Sequence, residues 1–332
     1  MSELRQNMAT KEWVIIARDR AKRPDEFASA DKALTGDGPE RDPSCPFCPG
    51  NEEASLEVMR VPATGPWRVR VVRNKYPALR PEDEFAHIAE GVDRRRSGFG
   101  YHEVLVESPR HNSCSALATP EEVSLVFRVF QERGKALSAD ARLEHIIYFK
   151  NHGEKAGTSL VHPHTQLVAL PIVPYGIRSR TEEARRHFDD TGRCVFCEAL
   201  SEELRLRERV VLETERFVAF VPYAASSPFH MWIVPRRHEA SFLRASGEEL
   251  ADLGGIVHRV FRKLYVGLHD PDYNYVIRSA PVQDAEQGCL HWYLTIVPRV
   301  TRAAGFELGS GMYINTAVPE ESAAFLRSVR EE

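Results

Sequence analysis

Apolar residues fall mostly into short alternating or β-branched runs, with two longer windows spaced as helices. VRVVRNKYPAL (69–79), HEVLVESPRH (102–111), LEHIIYFKN (143–151) and HPHTQLVALP (162–171) read as strands or strand-bearing stretches. FVAFVPYAA (217–225), HMWIVPRRH (230–238), YNYVIRS (273–279) and HWYLTIVP (291–298) read the same way. In TPEEVSLVFRVF (119–130), Val123, Val126, Phe127 and Phe130 share one helical face, and in SGEELADLGGIV (246–257), Leu250, Leu253 and Val257 do. Each window opens on a capping box, Thr119 with Glu122 and Ser246 with Glu249: the hydroxyl caps the helix and the glutamate reaches back. Pro120 takes the first helical position, where its missing N–H costs nothing. Strands, one long helix, then two more strands describe an α+β unit built on a meander sheet.

That unit occurs twice. His111 to Thr119 is eight residues, as is His238 to Ser246; Thr119 to His162 is 43 and Ser246 to His291 is 45. We read an internal duplication, with halves at 1–178 and 179–332 joined by a charged segment around 179–193. Residues 25–44 are polar, contain Gly and Pro, and are expected to form a loose loop.

Composition narrows the function classes. A chain of 332 residues suits two domains or one large one built of two halves. A net charge of −4 gives no reason to expect nucleic acid or an anionic membrane as partner. No apolar run reaches the roughly 18 residues of a spanning helix, and Met1–Thr10 has no signal-peptide core, so a cytoplasmic protein is expected. Six cysteines are too few for a disulfide scaffold of this size.

Four of those cysteines form two CxxC pairs, Cys45/Cys48 and Cys194/Cys197. Tetrahedral zinc needs two further ligands for each pair. His111 and His162 in the first half, and His238 and His291 in the second, occupy equivalent places in the repeat. Two zinc ions per chain are therefore expected; the rival reading is one all-cysteine site shared between the halves. Cys114 and Cys289 read as small core residues.

HPHTQ (162–166) has two histidines with different fates. On a strand His162, His164 and Gln166 share a face. The second half repeats the metal histidine as His291 but has Tyr293 where the first half has His164. A neutral imidazole with a pKa near 6.5 can attack phosphorus and form a phosphoramidate. Gln166, Ser159 and the backbone of KAGTS (155–159) could then donate to phosphate oxygens. The alternative is a packing histidine in a zinc-stabilised binding module with no catalysis.

With these motifs in hand, the chain resembles the galactose-1-phosphate uridylyltransferase family of the histidine-triad superfamily over nearly its whole length. HPHTQ is similar to that family's HPHxQ signature, and FKNHGEKAGTS to its FxNxGxxxGxS. The resemblance implies two tandem histidine-triad-like repeats, each a mostly antiparallel sheet with a long helix. It implies a nucleotidyltransferase that moves a nucleoside monophosphate from a sugar nucleotide to a sugar 1-phosphate or phosphate, through a nucleotidyl-His164 intermediate. It makes Gln166 and Ser159 phosphate partners and implicates Asn151 and Gly157. RAKRP (20–24) resembles a phosphate-binding stretch and brings in Arg20 and Arg23, while VVRNKYPAL brings in Asn74. The family also implies a structural zinc on Cys45, Cys48, His111 and His162, and a homodimer whose sites take residues from both chains.

The nominal activity is UDP-glucose:hexose-1-phosphate uridylyltransfer. Two departures point elsewhere. The family's valine-glycine-tyrosine-glutamate stretch is replaced by GFELGSGMYIN (305–315), which makes Gly311 and Tyr313 candidate substrate contacts. CVFC with His238 and His291 replaces other second-half ligands. Both resemble the ADP-glucose phosphorylase branch, in which an adenylyl-histidine is discharged to phosphate. A hydrolase with water as acceptor is a third reading.

Overall fold

The computed structural model describes residues 2–20, 24–27 and 32–331. A hairpin, β1 (Glu3–Gln6) and β2 (Trp13–Ile16), comes first. β3 (Glu57–Val61), β4 (Val69–Arg73), an exposed hairpin of β5 (His87–Glu90) and β6 (Asp93–Arg96), and β7 (Tyr101–Val106) lead to helix α1 (Pro120–Ser138). β8 (His145–His152) and β9 (His164–Leu170) follow. Helices α2 (Tyr175–Thr191) and α3 (Val195–Leu206) cross to the second half. There β10 (Val210–Glu213), β11 (Phe217–Phe220), β12 (Met231–Pro235), α4 (Gly247–Leu268), β13 (Tyr273–Arg278) and β14 (Tyr293–Pro298) repeat the order. α5 (Gly305–Ser310), β15 (Tyr313–Asn315) and α6 (Pro319–Ser328) come last.

The two halves form one ten-stranded sheet, ordered β10-β11-β12-β14-β13-β8-β9-β7-β4-β3. Each half supplies five strands, and the order reads alike from either edge. The halves meet where β8 and β13 pair antiparallel, Tyr273 opposite His152 and Ile277 opposite Tyr148. The α+β class and the duplicated plan read from spacing are what the fold contains.

Both long helices lie against this sheet and against each other. Their capping boxes form: Glu122 N–H donates to Thr119 Oγ1 at 3.2 Å and Glu249 N–H to Ser246 Oγ at 3.1 Å, with each glutamate returning to its cap. Val123, Val126, Phe127 and Phe130 are buried, as are Leu250, Leu253 and Val257. They join a single core with Tyr148, Phe242 and Trp292 that runs through both halves. Gly254 permits the close approach of α4 to α1, since a Cβ there would lie 2.6 Å from the backbone nitrogen of Ser124.

Three stretches take a form that the sequence reading did not specify. The charged segment around 179–193 is the body of α2, ended by Gly192 in the left-handed region at φ 71°. The described part of 25–44 is tethered: the Thr35 N–H and hydroxyl both donate to Asp270 Oδ2, at 2.9 and 2.5 Å. Its partners lie more than half the chain away, which local composition does not reveal. Finally, β15 pairs parallel to β2, so GFELGSGMYIN packs beside the N-terminal hairpin. No helix among the described residues is long and apolar enough to cross a membrane.

Candidate active site and metal centres

The Cys/His quartets assemble as the repeat requires. Among the described residues, Cys45, Cys48, His111 and His162 bring their donor atoms together, and so do Cys194, Cys197, His238 and His291; all lie within 4.8 Å of one another in each group. Cys48 Sγ is 3.5 Å from His111 Nδ1 and 3.6 Å from His162 Nδ1. A sulfur–nitrogen edge of about 3.5 Å is what bonds of about 2.3 and 2.0 Å around a tetrahedral ion give. The second quartet is tighter, with Cys197 Sγ 3.2 Å from His238 Nδ1 and 3.4 Å from His291 Nδ1. Backbone N–H groups of Asp42 and Phe47 donate to the sulfurs of Cys48 and Cys45. Cys194 is the N-cap residue of α3, where the helix dipole favours negative charge. His162 Nε2–H donates to the Ser108 carbonyl at 2.8 Å and so turns Nδ1 to the ion site. Both donor sets fit a structural metal, and the four-cysteine arrangement is not what the fold brings together.

His164 opens β9, opposite Val106 on β7. The residue is 7% exposed, on the wall of a cavity of about 580 Å³ also lined by Asn151, Lys155, Ser159 and Asp272. Its Nδ1–H donates to the His162 carbonyl at 2.8 Å. That bond fixes the tautomer and leaves the lone pair on Nε2. Burial pushes the imidazole below its usual pKa, opposed by the His162 carbonyl and assisted by nearby Lys150. Lys150 itself is buried in an ion pair with Glu107 at 2.6 Å. The His164 ring is thus neutral, oriented and held beside the first metal quartet.

Two candidate substrate groups are aimed by residues the sequence reading did not choose. The Ala78 N–H donates to His102 Nδ1 at 3.1 Å, so the proton sits on Nε2, which donates to Gln166 Oε1 at 2.8 Å. The amide NH₂ of Gln166 is left for another acceptor. Asn74 lies against the same ring, 3.1 Å from Nε2. Asn274 Nδ2 donates to Asn151 Oδ1 at 2.7 Å and to the Ala156 carbonyl at 2.9 Å, which likewise leaves the Asn151 NH₂ unengaged.

The loop carrying Gly157 and Ser159 is clamped from the second half. Lys155 N–H donates to Asp272 Oδ2 at 2.7 Å. Gly153, at φ 82°, comes so near Asp272 that a Cβ would lie 2.2 Å from the carboxyl. Asp270 accepts from Thr35, and His152 Nε2 lies 3.0 Å from its Oδ1. His102 carried a signal in the repeat, where it recurs as His230; Asp270, Asp272 and Asn274 cluster at 270–274, at the entry to β13.

Of the residues chosen from sequence, Arg20, Asn74, Gly157, Gln166, Gly311 and Tyr313 do not line this cavity. Arg20 ends a 3₁₀ turn after β2, Gly311 is the left-handed cap of α5, and Tyr313 is on β15. Arg23 lies outside the described residues. A larger hollow of about 830 Å³ lies between β1, α3 and Tyr223. Its histidine, His187, is 2.7 Å from Glu198, and it holds no nucleophile comparable to His164.

Known proteins resemble this chain over nearly its whole length. The family described as "Galactose-1-phosphate uridyl transferase, N-terminal domain" matches residues 1–174, and the corresponding C-terminal domain matches 177–312. The chain is 37% identical to the ADP-glucose phosphorylase of Arabidopsis thaliana, over 98% of this chain and 93% of that one. It is 29% identical to the galactose-1-phosphate uridylyltransferase of Thermotoga maritima, over the full length of both. A crystal structure of an Arabidopsis thaliana ADP-glucose phosphorylase with bound ADP-glucose superposes with a TM-score of 0.83 at 34% identity, covering 99% of each chain.

Proposed function

The chain belongs to the galactose-1-phosphate uridyl transferase family, and from that premise we propose that His164 is the nucleophile of its nucleotidyl transfer. The observation that carries this is the Nδ1–H bond to the His162 carbonyl on the cavity wall. In the first step the Nε2 lone pair attacks the α-phosphorus of a sugar nucleotide. A P–N bond forms, the bond from phosphorus to the bridging oxygen breaks, and a sugar 1-phosphate leaves. In the second, an acceptor phosphate oxygen attacks the same phosphorus and the P–N bond breaks, returning the neutral imidazole. The NH₂ groups of Gln166 and Asn151 and the Ser159 hydroxyl hold the non-bridging oxygens as charge develops there. Zinc on the first quartet would fix His162, and through its carbonyl the ring of His164; on the second it would fix the start of α3.

The donor is an ADP-sugar and the acceptor inorganic phosphate. The 37% identity to a phosphorylase of that specificity supports this, as do the second Cys/His quartet and GSGMYIN. Uridylyl transfer to a hexose 1-phosphate is the second reading, favoured by the match of both family domains. Arg20, Gly311 and Tyr313, which do not line the cavity of their own chain, act in the site of a second copy in a homodimer.

Incubation with ADP-glucose or UDP-glucose labelled at the α-phosphate tests the reading. Acid-labile, base-stable label is expected on the wild type from ADP-glucose, and none on His164→Asn. Equal labelling of the variant rejects the nucleophile; stronger labelling by UDP-glucose selects the second reading.

A further inference from the structure

The second half keeps the position of the nucleophile but not its side chains. Tyr293 opens β14 as His164 opens β9. Tyr293 is paired with Arg278. Carrying the β8/β9 register two residues past the Phe149–Gln166 pair sets Asn151 opposite His164. A tyrosine thus stands for the nucleophile and an arginine for the asparagine. His230 keeps the role of His102, with Nε2 2.8 Å from Thr295 Oγ1.

Beside Tyr293 is a cleft of about 60 Å³ lined by Arg180, Arg278, His145 and His291. Arg180 and Arg278 are half-buried, and among the described residues neither guanidinium has a hydrogen bond or ion pair. Burial, and then the charge of Arg180, hold Arg278 below the usual arginine value. His145 Nδ1 and His291 Nε2 are buried without a partner, in residues 3% and 4% exposed. The equivalent nitrogen of His162 has the Ser108 carbonyl. Glu12, whose charge reaches Arg278, is exposed and bonded to Thr10 instead. Guanidinium groups and imidazole nitrogens left without acceptors in a cleft are costly unless an anion meets them.

We propose that this cleft binds a small tetrahedral oxyanion, inorganic phosphate, at a site separate from the His164 cavity. Two guanidinium groups offer planar paired donors to its oxygens, and the orphan imidazoles supply further N–H groups. Size selects the ligand: a water needs roughly 10–15 Å³ by this measure, so about 60 Å³ holds a single oxyanion but not a nucleotide, which the cavity of about 580 Å³ can accept. The bound ion links α2 to β13 and to the second metal quartet. It takes no part in transfer.

Calorimetric titration of the full-length, zinc-loaded protein with inorganic phosphate tests this. A His164→Asn background prevents turnover, and excess ADP-glucose fills the His164 cavity. The background protein should bind one equivalent of phosphate that Arg180→Gln and Arg278→Gln bind at least tenfold more weakly. In the wild-type background both substitutions should leave kcat within about twofold. Unchanged phosphate binding in Arg180→Gln, or displacement of the extra equivalent by ADP-glucose, overturns the proposal. If Arg278→Gln does not fold, Arg180→Gln decides, with Arg180→Lys expected to restore binding in part. Binding is read without transfer, so a failure here leaves the role of His164 untouched.

Discussion

His102 donates its Nε2–H to Gln166 Oε1 at 2.8 Å, across two neighbouring strands. The bond uses the oxygen of the glutamine and presents its NH₂. His102→Ala should therefore lower kcat by about 10- to 100-fold through misorientation, the scale of a 1 Å misplacement. Steady-state kinetics would check this, with a melting temperature that stays near wild type. A change confined to KM would contradict an orienting role.

Metal content should be two zinc ions per chain by elemental analysis. Cys45→Ser or Cys194→Ser should each reduce it to one. Cys45→Ser should also abolish transfer, because His162 and with it the His164 ring lose their anchor. A single ion that both variants eliminate would restore the four-cysteine alternative.

Mixing two inactive variants should restore activity if sites are shared. His164→Asn and Tyr313→Ala, co-refolded in equal amounts, should recover about a quarter of wild-type activity, because half of the twofold dimers then hold one intact site. No recovery would assign Tyr313 to the site of its own chain rather than its partner's.

Asp270 makes stability acid-sensitive. Burial alone would raise its carboxyl, but His152, Thr35 and Lys32 hold it at about 2, against 3.8 for the ordinary group. A depressed folded value contributes fully above about pH 4 and is lost as pH falls towards 2. The contribution is about 2 kcal/mol at neutral pH. Urea unfolding of Asp270→Asn should show that loss at pH 7 and a gap that narrows below pH 4. A constant gap would mean that the carboxylate charge is not the cause.

Gly254→Ala tests the helix crossing. Helix propensity alone would gain about 1 kcal/mol. The added Cβ, 2.6 Å from the Ser124 backbone nitrogen and 2.7 Å from the Pro120 carbonyl, meets atoms that cannot swing aside. Overpacking of this kind costs about 1–3 kcal/mol, so a lower denaturation midpoint is expected. A higher one would show that α1 and α4 separate freely.

Spacing alone was enough for the duplicated α+β plan, the buried faces of α1 and α4, both capping boxes and both Cys/His quartets. Helical and strand periods are local, and a quartet repeated in register marks itself. HPHTQ separated into a metal histidine and a free one because only His162 recurs, as His291. The aiming of the site was not legible in this way. His102 reaches Gln166, Asn274 reaches Asn151, and Asp272 grips the turn at Gly153 only once β7, β8, β9 and β13 lie side by side. Those contacts join residues dozens to more than a hundred positions apart, and a shift of one residue in register would turn each side chain to the other face. The placement of Gly311 and Tyr313 with β2 was decided the same way, by a parallel pairing of distant strands. Local periods set which residues are available for chemistry; strand register sets which of them meet.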